Sequence, residues 1–590
     1  MGLITAQELA KVTKLNKYGN LGLLLSDGLL NLLKLDKINH IYEKNKNLRG
    51  IEFLDAVLED VGVRMEFGER ELRRLPTSGP YIVVANHPLG AIDGIMLLRL
   101  MLAIDPNFKI IGNFLLNKIK PLSPFIFPVN PFEKRKEAKS SISGLKDALI
   151  HLENGYPLGI FPAGEVSSVL SDDGTPIDKD WTGGSIKFIK KAGVPVVPLY
   201  FHACNSRLFY LLSALNSDLR TAKLPSELLN QKNKSVTIRI GRTIEAEVIR
   251  SFDDTKRLGD FLKRMTYLLS YPLEPFKKTI KLPKFKSRTS QFKQLIDEVP
   301  KSSLIKEINS IREAGTRLFE YHHYEVFLMK AEHSPLLLRE ICRLRELTFR
   351  KAGEGTGKAL DTDRFDNYYR HLLLWDTENH VIVGAYRIGF GRELFEHNGV
   401  KAFYLETLFK FSSDFHDYLK STLEMGRAFI VPNYQQKPFS LLLLWQGIIC
   451  IVKQNPEYKH LLGAVSISNT YCNFSRAAMT NFMYENYFDH QIARMIAARN
   501  PVSFKIDSKT LSMVSMITNN EINLLDRLIQ DIEPAGIRVP ILIKKYFLQN
   551  AKVIGFNVDK NFANVIDGLF FISVENIPEK TMNNGRFNFD

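Results

Sequence analysis

The feature that most constrains this fold is a series of short apolar runs that alternate with helical patterns between residues 81 and 275. Runs at 81–85, 158–161, 194–201 and 236–240 have the length of buried strands. This alternation predicts an α/β domain with a largely parallel sheet. In such a sheet, ligands bind in the crevice at the carboxyl ends of the strands, so polar residues at those ends are candidate site residues.

A second α/β pattern, without an internal repeat of the first, begins near residue 300. Strands are predicted at 381–388 and 423–431, on either side of the segment 389–422, and a helix is predicted at 439–453. We therefore predict two different α/β domains. The predicted organisation is a helical segment 1–65, a first domain 66–275, a basic linker 276–300 and a second domain 301–590.

The net charge of +15 favours an anionic partner. Leucines from Leu21 to Leu35 gather on one helical face among lysines, which predicts a segment that rests on an anionic membrane surface. An ordinary packed helix stays open as the alternative. No apolar stretch reaches the roughly 20 residues of a spanning helix, and no signal peptide is visible. We expect a cytoplasmic protein that is peripheral on the inner face of the cell membrane.

The sequence argues against a disulfide framework, a metal site and a nucleic-acid partner. The four cysteines form no C-x-x-C pair, which excludes a disulfide framework and a cysteine zinc site, and we predict no metal. The chain also lacks the aromatic and basic strand motifs of RNA modules and any recognition-helix signature. Nucleic acid is therefore not an expected partner.

A histidine and an aspartate follow the first predicted strand. His87 lies directly after that strand in a Gly/Pro turn, and Asp93 comes six residues later. An aspartate that accepts one ring N–H of a histidine fixes the tautomer and makes the other nitrogen a better base. The pair therefore predicts general-base catalysis.

Two further blocks follow, Phe161-Pro162-Ala163-Gly164-Glu165 and a strand at 194–199. The three blocks in this order resemble the glycerolipid acyltransferases, over roughly 65–275. The resemblance implies that His87 deprotonates an acceptor hydroxyl and that Asp93 orients His87. We expect Glu165, and Arg207 nearby in the sequence, to contact substrate. Five residues, not four, separate His87 from Asp93, and Ala163 replaces the family glutamate. The family's phosphate-binding arginines are absent, which favours an acceptor without phosphate.

The second domain carries a different motif set, which resembles the acyl-homoserine-lactone synthases and, more closely, the hemolysin-like ornithine-lipid N-acyltransferases. Both have the GNAT fold with a mixed sheet. Glu424 is expected to take the proton of the attacking amine. Arg387 and Arg427 are expected to bind the carboxylate of the acceptor or the pantetheine arm of the acyl donor. Asp363 and Asp366 are expected to bind a cationic side chain of the acceptor. The resemblance also implies that Arg345 and Phe349 contact substrate. The matching residues are Arg345, Phe349, Asp363, Asp366, Arg387, Glu424 and Arg427.

The segment after the predicted strand 423–431 reads Pro432-Asn433-Tyr434-Gln435-Gln436-Lys437-Pro438-Phe439 and contains no glycine. Enzymes of the GNAT fold that use coenzyme A have a glycine-rich loop here, whose amides bind pyrophosphate. An acyl group on acyl carrier protein brings no pyrophosphate, and this carrier is strongly acidic. The expected donor is therefore an acylated acyl carrier protein, with no separate cofactor.

Taken together, the chain resembles the bifunctional ornithine-lipid synthases. This implies that the second domain N-acylates an amino acid with a 3-hydroxyacyl group and that the first domain O-acylates the 3-hydroxyl of the lyso-aminolipid. Ornithine is favoured by the resemblance, and glycine and serine stay open. The alternative is a lysophospholipid (1-acylglycerol-phosphate) acyltransferase with a non-catalytic GNAT-like domain.

Overall fold

The computed structural model describes residues 7, 15–20, 26–28, 35–129, 139–215, 217–276, 293–437 and 439–583. Contacts divide the chain into two compact units, Met1–Leu282 and Pro283–Asp590. The predicted membrane-surface segment lies largely outside the described residues, and so does most of the predicted linker, 277–292. No helix within the described ranges is both long and apolar enough to cross a bilayer.

The first unit is built on a seven-stranded sheet in the order β1-β9-β8-β2-β5-β3-β4. All neighbours are parallel except β8 and β9, which confirms the predicted, largely parallel sheet. A separate hairpin, β6–β7, follows β5. The strands are β1 (Val63–Glu66), β2 (Ile82–Ala85), β3 (Lys109–Asn113), β4 (Ile126–Val129), β5 (Leu158–Ile160), β6 (Val169–Leu170), β7 (Pro176–Ile177), β8 (Val196–His202) and β9 (Lys234–Ile240).

Helices cover the first sheet because their apolar faces pack on its buried strands. Strand β2 is buried along its whole length, as expected for a central parallel strand. The helices are α1 (Leu35–Asn45), α2 (Gly50–Val61), α3 (Glu69–Leu72), α4 (Ala91–Leu102), α5 (Lys139–Glu153), α6 (Gly183–Ala192), α7 (Arg207–Leu215), α8 (Ser217–Glu227), α9 (Ala246–Arg250) and α10 (Thr255–Leu268).

The second unit contains an eight-stranded mixed sheet in the order β10-β11-β12-β13-β15-β16-β19-β18. Only β15 and β16 are parallel neighbours among its described strands. Strands β14 and β17 form a small separate pair. The strands are β10 (Arg317–Tyr321), β11 (Tyr324–Lys330), β12 (Arg370–Asp376), β13 (Val381–Phe390), β14 (Phe409–Phe411), β15 (Thr422–Ile430), β16 (His460–Ile467), β17 (Ile496–Ala498), β18 (Lys552–Asp559) and β19 (Val565–Ser573).

Helices pack on both faces of this second sheet. Ala385 of β13 belongs to the core beneath α11 and α12, while the adjacent Gly384 faces Leu444 of α15, so these helices cover opposite faces. The helices are α11 (Lys301–Glu313), α12 (Pro335–Lys351), α13 (Gly391–Asn398), α14 (His416–Lys420), α15 (Ser440–Gln454), α16 (Asn473–Tyr487), α17 (His490–Ala493), α18 (Ser508–Thr518), α19 (Ile522–Ile532), α20 (Ile541–Phe547) and α21 (Glu579–Asn583).

The two parallel strands separate in the middle of this sheet. Residues 422–425 of β15 pair with 460–463 of β16. Beyond that point β15 pairs with β13 and β16 pairs with β19. Arg427, with φ of +50°, lies at the irregularity in β15. The strands therefore enclose a wedge (residues 426–430 and 464–467) in which an extended ligand can meet backbone groups.

Gly463 closes the narrow end of this wedge. A Cβ on Gly463 would lie 2.6 Å from the Met425 carbonyl oxygen, while a Cβ on Gly426 would meet no atom within 4 Å. We expect Gly463→Ala to force the strands apart and to destabilise the protein by about 1–3 kcal/mol. Urea-induced unfolding measures this, with Gly426→Ala as the control. Equal stability of the two variants would contradict the assigned strand register.

Candidate active sites

The first site lies where β2 ends. Nδ1 of His87 is 3.1 Å from Oδ2 of Asp93, and Oδ2 also accepts hydrogen bonds from the backbone N–H groups of Leu89 and Gly90. Gly90 has φ of +87°, a conformation that favours glycine and lets the turn absorb the extra residue before Asp93. Burial raises the pKa of Asp93, against the hydrogen bond from His87. The arrangement leaves Nε2 of His87 to act as the base.

Two residues hold the backbone of His87 in place. Ser167 N–H donates to the His87 carbonyl oxygen at 2.8 Å, and His87 N–H donates to Oδ1 of Asp178 at 3.2 Å. The same oxygen accepts from the Ser167 hydroxyl, and Oδ2 accepts from the Trp181 indole. The ring of Phe161 lies 4.3 Å from the ring of His87. Asp178 is thus a buried positioning residue that the sequence analysis missed.

Glu165 is placed in an ion-pair cluster beside this turn. Its carboxylate binds Lys179 at 2.8 Å and Arg220 at 2.7 Å. These hydrogen bonds outweigh burial and lower the pKa of Glu165. Arg207 is exposed at the first turn of α7, and the arginine that contacts Glu165 is Arg220 of α8. Helix α8 thus brings to this block an arginine, Arg220, that the sequence did not indicate, while the contact of Arg207 with substrate stays a prediction.

The second site contains a buried cluster of three arginines and three aspartates. Arg345 binds Asp361 at 2.9 Å and Asp366 at 3.0 Å. Arg387 binds Asp363 at 2.6 Å and Asp366 at 3.1 Å. Arg427 lies 3.6 Å from both Asp361 and Asp363. The charges balance within the cluster, which is what permits their burial.

This pairing corrects two of the predicted substrate contacts. Asp366 is fully buried, and its oxygens accept from Arg345, Arg387 and the Asp363 N–H, so it does not face a substrate cation. Arg345 is equally buried, and its guanidinium is held by Asp361 and Asp366. Burial would raise the pKa of Asp366, but the two arginines hold that pKa far below its usual range. Both residues form the support of the site.

Arg387 and Arg427 retain hydrogen-bonding capacity. Within the described residues, Nε and Nη2 of Arg387 and Nε of Arg427 are buried without a hydrogen-bond partner. Both guanidinium groups lie over the ring of Tyr404, at 5.1 and 4.9 Å from its centroid. Phe562 lies beside Arg427 and also packs edge to face on Phe349 of α12. Phe349 therefore supports the aromatic wall of this pocket.

Glu424 is buried on β15 beside this cluster. Oε2 accepts from the Tyr369 hydroxyl at 2.7 Å, and Oε1 accepts from the Leu405 N–H at 3.0 Å. Burial raises the pKa of Glu424 to about 7, against these hydrogen bonds and the charge of Arg387. The carboxyl group therefore exchanges its proton near neutral pH, which is the range a general base needs.

Two further acids with raised pKa values lie on the other side of the wedge. Burial raises the pKa of Asp567 to about 7, although the Ser466 hydroxyl donates to it at 2.8 Å. Burial and the charge of Asp567 raise the pKa of Glu354 to about 7 as well. The loop that carries Glu354 is fastened to α12, because Glu346 accepts hydrogen bonds from the N–H groups of Thr356 and Gly357. These contacts hold the loop 353–357 against α12.

Comparisons with known proteins match the two units separately. The family described as "Acyltransferase" matches residues 24–275, and "Acetyltransferase (GNAT) domain" matches residues 344–446. A glycine N(alpha)-acyltransferase from Phocaeicola vulgatus is 27% identical over 48% of this chain and 90% of its own length. A lyso-glycine lipid O-acyltransferase from the same organism is 27% identical over 45% of this chain and 95% of its own length. The chain is an acyltransferase with two different α/β domains.

One solved structure aligns with part of this chain. The 1-acyl-sn-glycerophosphate acyltransferase PlsC from Thermotoga maritima aligns with 44% of this chain and 96% of its own, at 16% identity and a TM-score of 0.24. A score this low carries no argument about function.

The buried cluster predicts a large effect on stability. Asp366→Asn removes one negative charge that faces both Arg345 and Arg387 and leaves their positive charges uncompensated. We expect a loss of about 3–5 kcal/mol in the free energy of unfolding. Asp417→Asn, at an exposed ion pair with Lys420, is the control and is expected to change it by less than about 0.5 kcal/mol. Denaturant titration measures the free energy of unfolding of both variants. A loss at Asp366→Asn as small as that of the control would refute the structural role of the cluster.

Proposed function

We propose that this chain makes a diacylated amino-acid lipid in two successive acyl transfers. The single observation that carries the proposal is that one chain combines a GNAT-type domain with an O-acyltransferase domain, and that its relatives carry the two matching activities on glycine and on a lyso-glycine lipid. The first transfer forms an amide and the second an ester. The order follows from chemistry, since the hydroxyl that is esterified arrives on the acyl chain of the first step.

The amide-forming step belongs to the second unit. The α-amine of the acceptor loses a proton to Glu424, through the Tyr369 contact or a water molecule, and attacks the thioester carbonyl. The free N–H groups of Arg387 and Arg427 bind the acceptor carboxylate, because a guanidinium pairs well with a carboxylate. The phosphopantetheine arm that carries the acyl group of the donor lies in the wedge between β15 and β16. The thiol leaves with the proton that Glu424 accepted.

The ester-forming step belongs to the first unit. Nε2 of His87 accepts the proton of the 3-hydroxyl as its oxygen attacks the second acyl thioester. Asp93 holds the opposite nitrogen and stabilises the imidazolium that forms. The proton then passes to the leaving thiolate, and His87 returns to its neutral form. The ion pair of Glu165 and Arg220 borders the acceptor. Because Glu165 already neutralises Arg220, this arginine is not available to bind a phosphate, which agrees with an acceptor that has none.

The donor in both steps is proposed to be an acylated acyl carrier protein, and no other cofactor is needed. The net charge of +15 supports attraction to this acidic carrier. The glycine-free segment 432–439 supports it as well, since a pyrophosphate would find no glycine-rich loop there. We place the enzyme on the cytoplasmic face of the cell membrane, where the lyso-lipid resides.

Glycine, ornithine and serine are the candidate acceptors. The names of the relatives favour glycine. Ornithine, which the motif set favours, would require an anionic partner for its side-chain ammonium. Asp366 does not supply that partner because Arg345 and Arg387 occupy it. Asp363 has one carboxylate oxygen without a hydrogen bond among the described residues, but it already pairs with Arg387 and lies 3.6 Å from Arg427. Glycine is therefore our first candidate and ornithine the second.

Lipid mass spectrometry of a bacterial host without aminolipids tests the two-step assignment. The wild-type chain is expected to yield a diacylated aminolipid, and the headgroup mass identifies the amino acid. His87→Ala is expected to accumulate the monoacylated form, and Glu424→Ala to reduce both products by about 10²- to 10⁴-fold, the usual contribution of a general base.

Exposed residues of the same type provide the controls for this experiment. His333→Ala and Glu378→Ala remove side chains that are 68% and 71% exposed, and both are expected to retain the products. A change in phosphatidate composition that depends on His87, without any aminolipid, would favour the lysophospholipid acyltransferase instead.

The pH dependence of N-acylation tests Glu424 as the base. Because only the ionised carboxylate accepts a proton, the rate is expected to rise as the pH increases through about 7 and then to level off. Tyr369→Phe removes a hydrogen bond that stabilises the carboxylate, so the pKa of Glu424 rises and the profile moves to higher pH. Tyr368→Phe, at the neighbouring tyrosine, is the control. Coincident profiles for wild type and Tyr369→Phe would exclude Glu424 as the base.

A further inference from the structure

Helix α7 presents a face of leucines to solvent. Leu208, Leu211 and Leu215 are 52%, 60% and 71% exposed, and the spacing of three and four residues places them on one side of the helix. The opposite side is anchored by Phe209, which is fully buried. Three large aliphatic side chains along about 10 Å of helix form an apolar surface that water solvates poorly.

This leucine face is tied directly to the His87 turn. The Tyr210 hydroxyl accepts a hydrogen bond from the Asn205 N–H at 3.2 Å. The Asn205 side-chain amide donates to the carbonyl oxygen of Pro88, the residue after His87, at 2.9 Å. Asn205 is buried, so this link has little freedom to move. Two hydrogen bonds thus connect the exposed helix to the catalytic turn.

The sheet order explains the proximity. Strand β2 lies between β8 and β5, and both are parallel to it, so the segments that follow all three strands meet at one edge. The segment after β8 contains α7. The segment after β5 contains the hairpin β6–β7, in which Val169 is also exposed. Asp172 and Asp173 occupy the turn of that hairpin, which makes α7 the more apolar of the two flanks.

The charge of the first unit identifies the kind of surface that α7 meets. Residues 1–282 contain 40 lysines and arginines and 30 aspartates and glutamates, so this unit carries ten of the fifteen excess positive charges. A basic body with one amphipathic helix is the combination that holds proteins at anionic lipid interfaces.

We infer that α7 inserts its leucine face into the surface of an anionic bilayer and so brings the His87 turn to the lyso-lipid. The inference rests on the proposed function for the identity of the acceptor. The bilayer covers Leu208, Leu211 and Leu215, while the basic body of the unit attracts the lipid headgroups. The acceptor hydroxyl then reaches Nε2 of His87 without leaving the interface.

Vesicle flotation of the full chain tests this docking site. Vesicles of phosphatidylethanolamine with about one quarter phosphatidylglycerol are the probe. A triple variant, Leu208→Ser, Leu211→Ser and Leu215→Ser, is expected to lose about tenfold or more of its vesicle partition coefficient, since each leucine contributes apolar area. The corresponding triple substitution to Met, which keeps the apolar area, is expected to bind like wild type.

The matched control removes exposed isoleucines at the other edge of the sheet. Ile104 follows the C-terminal end of α4 and Ile150 lies in the last turn of α5, and they are 37% and 43% exposed. Both helices run from the carboxyl ends of the parallel strands to the opposite edge of the sheet. The double variant Ile104→Ser and Ile150→Ser is expected to keep the partition coefficient. Unchanged binding of the α7 serine variant, or an equal loss in the isoleucine control, would overturn the proposal.

A second readout separates docking from catalysis. O-acylation of a vesicle-borne lyso-lipid is expected to fall with binding in the α7 serine variant, while O-acylation of a short-chain, water-soluble acceptor is retained. If wild type binds vesicles through α7 but acylates neither acceptor, the docking stands and the proposed function fails. If the serine variant turns a dimer into a monomer with unchanged vesicle binding, the leucine face is a contact between copies and the proposal is wrong.

Discussion

The second unit depends on the mutual neutralisation of buried charge. Arg345 and Arg387 share Asp366 in its interior, and Asp361 and Asp363 extend the pairing to Arg427. An isolated charge at this depth would cost several kcal/mol, whereas a balanced set can be buried. The cluster fixes the loop before β12 against β13 and β15. That loop and those strands also surround Glu424. The ion pairs of the cluster therefore fix the positions of the groups around the Glu424 carboxyl.

Each candidate site contains a buried carboxyl group, but the two carboxyl groups have different roles. Asp93 is buried and holds Nδ1 of His87, which fixes the orientation of the ring. Glu424 is itself the buried acid, and its raised pKa suits a base that works near neutral pH. In the first site the buried acid orients a histidine, and in the second the buried acid is the proposed base.

Local parts of these sites could be predicted from the sequence, while the distant contacts could not. His87 and Asp93 belong to one turn, so their spacing is sufficient to predict that they meet. Asp178 lies 91 residues after His87 and reaches it only through the packing of the segment after β5. Arg220 was missed for the same reason. Nor does sequence alone show that Asp366 pairs internally, because that pairing depends on the position of Arg387 in the sheet.

The central claim is that two independent sites act in series through a lyso-lipid intermediate. The most direct measurement mixes the purified His87→Ala and Glu424→Ala chains on vesicles with the amino acid and acylated carrier protein. Each variant alone should fail to form the diacylated lipid, and the mixture should restore it, because the monoacylated product of one chain is the substrate of the other. A mixture that forms no diacylated product, while wild type does, would contradict two separable sites.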